Sequence, residues 1–99
     1  MLEVRYTATA KRDLREIASY VRQEAGDATA RAVINRIRAS VAKLSRDGLR
    51  YRERPELGPG RRAILIGPRI AFYRVIGEIV YVQRILHGAR KITAEMLDM

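Results

Sequence analysis

The segment YVQRILHGAR, residues 81–90, brings together side chains of this chain that are well suited to chemistry. Its apolar run contains Arg84 and ends at His87, the only histidine of the protein. Arg90 follows three residues later. Histidine transfers protons near neutral pH, and arginine binds phosphates and carboxylates through a planar set of donors. The segment therefore suits either cleavage of a phosphodiester or recognition of an anionic partner.

Cleavage of RNA through its own 2′-hydroxyl needs a base, an acid for the leaving oxygen and cations on the phosphate. His87 could serve as the base, although a single histidine after a buried strand is more often a hydrogen-bonded structural residue. Tyr73 and Tyr81 are expected inside strands, where the ring packs in the core and the hydroxyl lies at its rim. This pattern favours a recognition surface over an active site.

Arg84 is expected to need a carboxylate, because a charge among apolar neighbours is rarely buried without a partner. Strand alternation predicts that it shares a face with Val82 and Leu86. The partner is either a carboxylate of the same domain, such as Glu78 or Glu56, or one supplied by another protein. The sequence leaves both possibilities open.

The composition indicates a single domain with an anionic partner. The 99 residues suffice for one hydrophobic core and are too few for two. The net charge of +9 comes almost entirely from arginine, which favours nucleic acid or an acidic protein segment as partner. With no cysteine and one histidine, neither a metal nor another cofactor is expected. The absence of a long apolar run or a secretory signal predicts a cytoplasmic protein without a membrane contact.

Hydrophobic periodicity predicts the elements that hold these residues. A strand over 2–7 precedes a helix that Thr7 caps and that ends near Gly26. Asp27 is expected to cap a second helix, which ends near Gly48.

The remainder of the chain is expected to form a loop and a group of strands. The segment 45–62 lacks periodicity and should be a surface loop with exposed arginines. Thr93 is expected to cap a last helical turn. Three strands lie between these segments, at 62–67, 69–77 and 78–88.

The order of these elements predicts an α+β fold. The two helices are joined by a short turn and must form an antiparallel hairpin. The last three strands form an antiparallel meander with turns at Gly67-Pro68 and Gly77-Glu78, and the N-terminal strand pairs with one of them. The helices then cover one face of the sheet, and the other face is left partly open for a partner.

Three segments in this order resemble the ParE/RelE superfamily of type II toxins, and within it the ParE branch. TATAKRDLREIASYV resembles the ParE opening, in which a capping Ser or Thr precedes a small residue and an Asp-Leu pair. PGRRAILIGPRIAFYRV resembles the middle hairpin, and YVQRILHGARKI resembles the closing strand with its Leu-His-Gly-x-Arg ending. The resemblance implies one ParE/RelE-like toxin domain over residues 1–99.

The resemblance also implies a partner and a target. The partner would be a cognate acidic antitoxin, ParD-like with a ribbon-helix-helix N-terminus, whose flexible C-terminal segment folds onto the toxin in a hetero-oligomer. Its charge would complement the +9 of this chain. The target would be DNA gyrase, inhibited through protein–protein contact, with growth arrest and plasmid stabilisation as consequences. The residues expected to bind a partner are Arg69, Tyr73, Arg84, His87 and Arg90.

RelE-like members instead cut messenger RNA on the ribosome, and some of their functional positions have counterparts here. Arg62, Arg69 and Arg90 resemble basic and phosphate-binding positions of those enzymes, and His87 would act as the base. Where those enzymes carry a terminal tyrosine, this chain has Met96, and a glycine follows the histidine where a related branch has tyrosine. Neither methionine nor glycine transfers protons, so the non-enzymatic function is preferred.

Three alternatives remain beside gyrase inhibition. The first is a RelE-like ribosome-dependent mRNA endoribonuclease. The second is a nucleic-acid-binding module, which the scattered basic residues and the scarcity of aromatic residues disfavour. The third is a toxin fold that has lost its toxicity and only binds an antitoxin.

Overall fold

The computed structural model describes residues 1–89 and 91–97 of the chain. It has the predicted α+β architecture, with an N-terminal strand, two long helices and three further strands. The strands are β1 (Glu3–Tyr6), β2 (Arg61–Ile66), β3 (Arg69–Ile76) and β4 (Ile79–His87). The helices are α1 (Ala8–Ala25), α2 (Asp27–Ala42), α3 (Leu44–Asp47) and α4 (Ala94–Leu97), and a 3₁₀ turn spans Pro55–Leu57.

The four strands form one mixed sheet in the order β1-β4-β3-β2. β2, β3 and β4 are the predicted antiparallel meander, and its turns contain Gly67 and Gly77, whose positive φ angles of 59° and 61° suit glycine. β1 pairs with β4 in parallel, ending at Tyr6 opposite Val82. Because β1 is short, the part of β4 beyond Val82 has no strand on that side.

The long helices cover one face of the sheet and bury the main core against it. Thr7 begins α1 as predicted, since its Oγ1 accepts the backbone N–H of Ala10 at 3.1 Å. Gly26 ends α1 with a φ of 89° and also stands at the start of α2, so Asp27 is the first residue of that helix and not its cap. The core includes Leu14 of α1, Ile37 and Val41 of α2, and Ile64, Ala71, Tyr73, Val80, Val82 and Ile85 of the sheet.

The segment after α2 differs from the prediction. The second helix ends at Ala42 and not near Gly48, and the separate turn of α3 carries the chain to Gly48. Residues 45–47 are therefore helical although they were expected to belong to the loop. Gly48 has an ordinary helical φ of −55°. Packing favours glycine there, because a Cβ would lie 2.8 Å from the carbonyl oxygen of Leu44 and 3.1 Å from Val80 Cγ2.

Arg61 contradicts the expectation that the arginines of 45–62 are exposed. Its side chain is completely buried at the start of β2. Nε donates to the side-chain oxygen of Gln83 at 2.9 Å, and Nη1 donates to the carbonyl of Leu57 at 2.9 Å. Buried donors are tolerated because these acceptors replace water.

A β-bulge in β4 changes the faces of its residues. The pairing shifts between Phe72, opposite Arg84, and Tyr73, opposite Val82, which leaves Gln83 as the extra residue. Val82 therefore faces the helices, whereas Leu86 belongs to the cluster on the other face. The prediction that Arg84 shares a face with both was wrong because alternation fails at a bulge.

The second face of the sheet is partly covered by the chain itself. The 3₁₀ turn and α4 lie over one half of it, and their apolar side chains form a smaller core with the sheet. That core consists of the buried residues Leu57, Phe72, Leu86 and Leu97. The expectation of a partly open face therefore applies to the half nearer the β3–β4 turn.

No helix in the part of the chain that the structure describes is long and apolar enough to cross a membrane.

Candidate functional site

Arg84 is bound within the domain and is only 7% exposed. Its Nε and Nη2 donate to the two carboxylate oxygens of Asp13 at 2.8 and 3.1 Å. Asp13 also accepts the backbone N–H of Ile85 at 3.0 Å, and Nη1 of Arg84 donates to the carbonyl of Met96 at 2.7 Å. The hydrogen bonds to Asp13 raise the pKa of Arg84, although burial opposes this. The pair ties α1 to β4 and α4.

This geometry corrects both expectations for Arg84. The partner is neither Glu78 nor Glu56, and the guanidinium is not presented to another protein. Asp13 was missed although the sequence held a signal: it lies three residues after Ala10 and beside Leu14, within the apolar stripe of α1. A carboxylate in a buried stripe predicts a buried cation as its partner.

Tyr73 is also structural. Its side chain is completely buried, and its hydroxyl donates to the carbonyl of Gly48 at 2.6 Å. Burial raises the pKa of Tyr73 to about 12, with the charge of Arg62 opposing the shift. The expected contact of Tyr73 with a partner does not fit this position, because no surface of the ring is accessible.

Arg69 and His87 lie opposite each other on β3 and β4 and line one cavity of about 350 Å³. The cavity lies beside α1, at the edge of β4 that β1 leaves uncovered. Its other charged lining residues are Asp13, which Arg84 neutralises, and Glu16. Among the described lining residues one arginine, Arg69, lies with the carboxylate of Glu16, so these residues do not concentrate the positive charge that a phosphodiester needs.

The imidazole of His87 is already committed on one side. Its Nδ1 accepts the backbone N–H of Ala89 at 3.1 Å. In the neutral ring this hydrogen bond favours the tautomer with the proton on Nε2, so that nitrogen can donate to an acceptor. His87 therefore suits the recognition of an acceptor better than proton abstraction.

Arg62, another residue of the expected nuclease set, is not among the residues that line this cavity. Arg62 donates to the carbonyl of Tyr51 and, at 3.3 Å, to Glu53. It lies four residues along β2 from Ile66, the residue opposite Arg69, which is roughly 13 Å in an extended strand. Arg90 lies outside the described residues. Met96 packs against the second core and provides only its carbonyl to Arg84.

A second cavity, the helical groove, lies between α1, α2 and β1 and measures about 290 Å³. Its floor is apolar, and none of the described residues that line it carries a carboxylate. The lining consists of Tyr6, Lys11, Leu14, Arg15, Ala18, Ile34 and Arg38. The guanidinium carbon of Arg38 lies 5.7 Å from the centre of the Tyr6 ring, a cation–π geometry. Burial raises the pKa of Tyr6, so its hydroxyl stays protonated.

The helical groove was not predicted from the sequence. Lys11 and Arg15 are four residues apart and flank Leu14, a spacing that places cations beside an apolar helix stripe. The contribution of Arg38 from α2 depends on how the two helices pack. Within the residues that the structure describes, no group of three or more His, Cys, Asp or Glu side chains could hold a metal ion.

Comparison with known proteins identifies the family of this fold. A family model described as the ParE toxin of the type II toxin–antitoxin system parDE matches residues 4–92. Toxin ParE3 of Caulobacter vibrioides is 33% identical over 84 residues, which cover 85% of this chain and 84% of the relative.

Two solved structures are similar in fold. One is the chromosomal ParDE system of P. aeruginosa, with a TM-score of 0.80 and 26% identity over 88% of this chain and 96% of that one. The other is the RelBE2 toxin–antitoxin complex of Mycobacterium tuberculosis, with a TM-score of 0.63 and 25% identity over 87% and 96% of the two chains. The chain belongs to the ParE family of toxins of type II toxin–antitoxin systems.

Proposed function

We propose that the chain is a cytoplasmic toxin that a cognate acidic antitoxin neutralises and that inhibits DNA gyrase through protein–protein contact. Growth arrest and plasmid stabilisation would follow from this activity. The antitoxin would be ParD-like, with a ribbon-helix-helix N-terminus and an acidic C-terminal segment. Support for such a partner comes from the two similar structures, which are themselves a ParDE system and a RelBE2 complex.

The observation that carries the proposal is the helical groove. Lys11, Arg15 and Arg38 surround an apolar floor, and no carboxylate among the described lining residues neutralises them. An acidic amphipathic segment satisfies both features, because its apolar side chains can cover the floor while its carboxylates reach the cations. Arg69 and His87, which line the neighbouring cavity, and Arg90 remain proposed contacts of the same antitoxin.

The nuclease alternative has one favourable observation, which is that Arg69 and His87 share a cavity with Tyr20. The hydrogen bond that occupies Nδ1 of His87 and the carboxylate of Glu16 in the same cavity argue against it. We therefore place the toxic action in contact with a protein target and not in the cleavage of RNA.

A supercoiling assay tests the proposed target. Purified toxin added to gyrase and relaxed plasmid should abolish supercoiling or trap cleaved DNA, and an equimolar amount of the antitoxin should restore activity. In parallel, ribosomes programmed with a message should leave it intact when they receive the toxin. Codon-linked cuts that disappear in the variant His87→Ala would instead establish the RelE-like activity.

The helical groove can be tested independently of the target. Arg15→Glu and Arg38→Glu place carboxylates against an acidic segment and should each weaken antitoxin binding at least tenfold in a calorimetric titration. Arg46→Glu in α3 is a matched control, because Arg46 is exposed and lies outside the groove. Equal affinities for the groove variants and the control would exclude the groove as the antitoxin site.

A further inference from the structure

The uncovered half of the second sheet face presents a row of charged and aromatic side chains. Arg5 lies opposite Tyr81, and Tyr81 lies opposite Arg74. Arg61, opposite Arg74 on β2, continues this row into the covered part of the face, where it is completely buried. Val4 and Tyr6, the neighbours of Arg5, pack toward the helices, which places Arg5 and the rest of this row on the opposite face.

An apolar pair lies next to this row, toward the β3–β4 turn. Ile76 and Ile79 are opposite each other across the hairpin, and Ile76 is 60% exposed. The 3₁₀ turn and α4 cover the other half of the same face. The small core that they form there does not include Ile76 or Ile79. We call the five residues Arg5, Arg74, Ile76, Ile79 and Tyr81 the outer patch.

Arg74 is the cation of the outer patch with the strongest need for a partner. Its Nε is buried and has no hydrogen-bond partner among the described residues. Gly58 allows this placement, because a Cβ at that position would lie 3.1 Å from Nη2 of Arg74. A guanidinium that has lost part of its hydration attracts a carboxylate more strongly than one fully in water.

We propose that the outer patch docks an extended, acidic and apolar segment of the protein that the toxin inhibits. The apolar side chains of this segment would cover Ile76, Ile79 and Tyr81, and its carboxylates would reach Arg74 and Arg5. A nucleic acid fits less well, because the isoleucines of the patch make no favourable contact with phosphates. This inference rests on the proposed action through protein contact.

The position of the outer patch assigns it to the target and not to the antitoxin. The helical groove and the outer patch lie on opposite faces of the sheet, so they are separate binding surfaces. They meet at β1, an edge strand in which Tyr6 lines the groove and Arg5 belongs to the patch. A partner seated in the groove therefore reaches the rim of the patch, which gives a steric reason why antitoxin binding would prevent target binding.

Separation of the two interactions tests the proposal. The variants Arg74→Glu and Ile76→Glu should lose at least tenfold in inhibition of gyrase supercoiling and should retain antitoxin affinity within twofold. Antitoxin binding also shows that each variant is folded. Leu65→Glu is the matched control for Ile76→Glu, because Leu65 is 79% exposed on the same sheet but lies outside the patch; Arg46→Glu is the control for Arg74→Glu.

The outcomes distinguish this inference from the proposed function. If the wild-type toxin does not inhibit gyrase but arrests growth, and the patch variants lose that arrest, the target is wrong and the patch stands. If the patch variants inhibit as strongly as the controls, or lose antitoxin binding in the same proportion, the inference is overturned. Loss of inhibition that parallels loss of binding to a labelled DNA duplex would assign the patch to nucleic acid and overturn it as well.

Discussion

Asp13 places a carboxylate within the buried stripe of α1, where it is 4% exposed. Its carboxylate accepts three hydrogen bonds, two from the guanidinium of Arg84 and one from the N–H of Ile85. Because β1 ends at Tyr6, the N–H of Ile85 would otherwise face the helix without a strand to accept it. The pair thus completes the edge of β4 and fixes α1 against it.

Removal of one member of this pair should be strongly destabilising. Asp13→Ala leaves the cation of Arg84 buried without a carboxylate, and we expect a loss of about 3–5 kcal/mol in the free energy of unfolding. Asp27→Ala removes an exposed ion pair with Arg22, so its loss should stay below about 1 kcal/mol. Urea denaturation of both variants measures the difference, and similar losses would contradict the structural role of Asp13.

The double variant Asp13→Leu with Arg84→Met gives a second test of the same pair. Because both charges disappear together, it should be less destabilised than Asp13→Ala alone. The variant should also bind the antitoxin with unchanged affinity once folded, since Arg84 makes its contacts within the domain. A specific loss of affinity in a folded variant would show that Arg84 contributes to partner binding.

Tyr73 predicts a dependence of stability on alkaline pH. Burial raises its pKa to about 12 in the folded chain, above its ordinary value of 10.0, so the folded state holds the proton more tightly than the unfolded state does. This contribution is complete below pH 10 and declines as the pH rises toward 12. Tyr73→Phe should lower stability at neutral pH by about 1–2 kcal/mol, because the carbonyl of Gly48 loses its donor.

The same variant should also lose part of the alkaline decline. The measurement is the free energy of unfolding at pH 8 and pH 11 for the wild type and for Tyr73→Phe. Tyr20→Phe is the control, because Tyr20 is 61% exposed and its replacement should leave the decline as large as in the wild type. An equal decline in all three proteins would show that Tyr73 does not cause it.

At the scale of elements, Thr7 joins the start of α1 to the sheet. Its Oγ1 accepts the N–H of Ala10 and donates to the carbonyl of Gln83 at 3.2 Å, while its own N–H donates to the carbonyl of Val82 at 3.0 Å. One hydroxyl therefore forms hydrogen bonds both with the first turn of α1 and with the backbone of β4 at its bulge. Helix α1 depends on this residue for its direction across the sheet as well as for its first turn.

Thr7→Ala should cost about 1–2 kcal/mol of stability, because it removes the helix cap together with the contact to β4. Hydrogen exchange of the amide of Ala10 should accelerate in this variant beyond the change expected from global stability. Thr29→Ala on the exposed face of α2 is the control and should change stability by less than about 0.5 kcal/mol. Unchanged protection at Ala10 would show that the cap is not formed in solution.

The helices and strands could be predicted from the sequence because its local signals are strong. Thr7, Gly26, Gly67 and Gly77 place the ends of helices and strands, and each end of the observed strands differs from the predicted one by at most one residue. The parallel pairing of β1 was not predicted, because alternation within a strand gives its faces but not the direction of its neighbour.

The candidate sites were less predictable, since they depend on contacts between distant parts of the chain. The bulge at Gln83 results from the register of β4 against β3 and has no local signal in the sequence. It inverts the faces of β4 between Val82 and Arg84, so Arg84 shares a face with Leu86 as predicted but not with Val82. The helical groove needs cations from two helices, so neither helix alone predicts it.

For the whole molecule, the net charge of +9 acts mainly on the encounter with an acidic partner. The charge is spread over both sheet faces and both long helices, so it attracts an anionic segment from many directions. The final affinity depends on the contacts made after encounter, in which a partly buried cation such as Arg74 is less screened by salt. A change in salt concentration should therefore alter the association rate much more than the dissociation rate.

The association rate of the toxin with its antitoxin should fall at least tenfold between about 50 and 500 mM NaCl, because the Debye length falls from about 14 to about 4 Å over this range. The dissociation rate should change less than threefold, since apolar contacts in the helical groove hold the bound segment. Stopped-flow mixing with a fluorescent antitoxin segment measures both rates.

The exposed variant Arg46→Glu should lower the association rate, whereas Ile34→Ala, which removes part of the groove floor, should raise the dissociation rate. An association rate that does not respond to salt would show that the excess of arginine serves another partner.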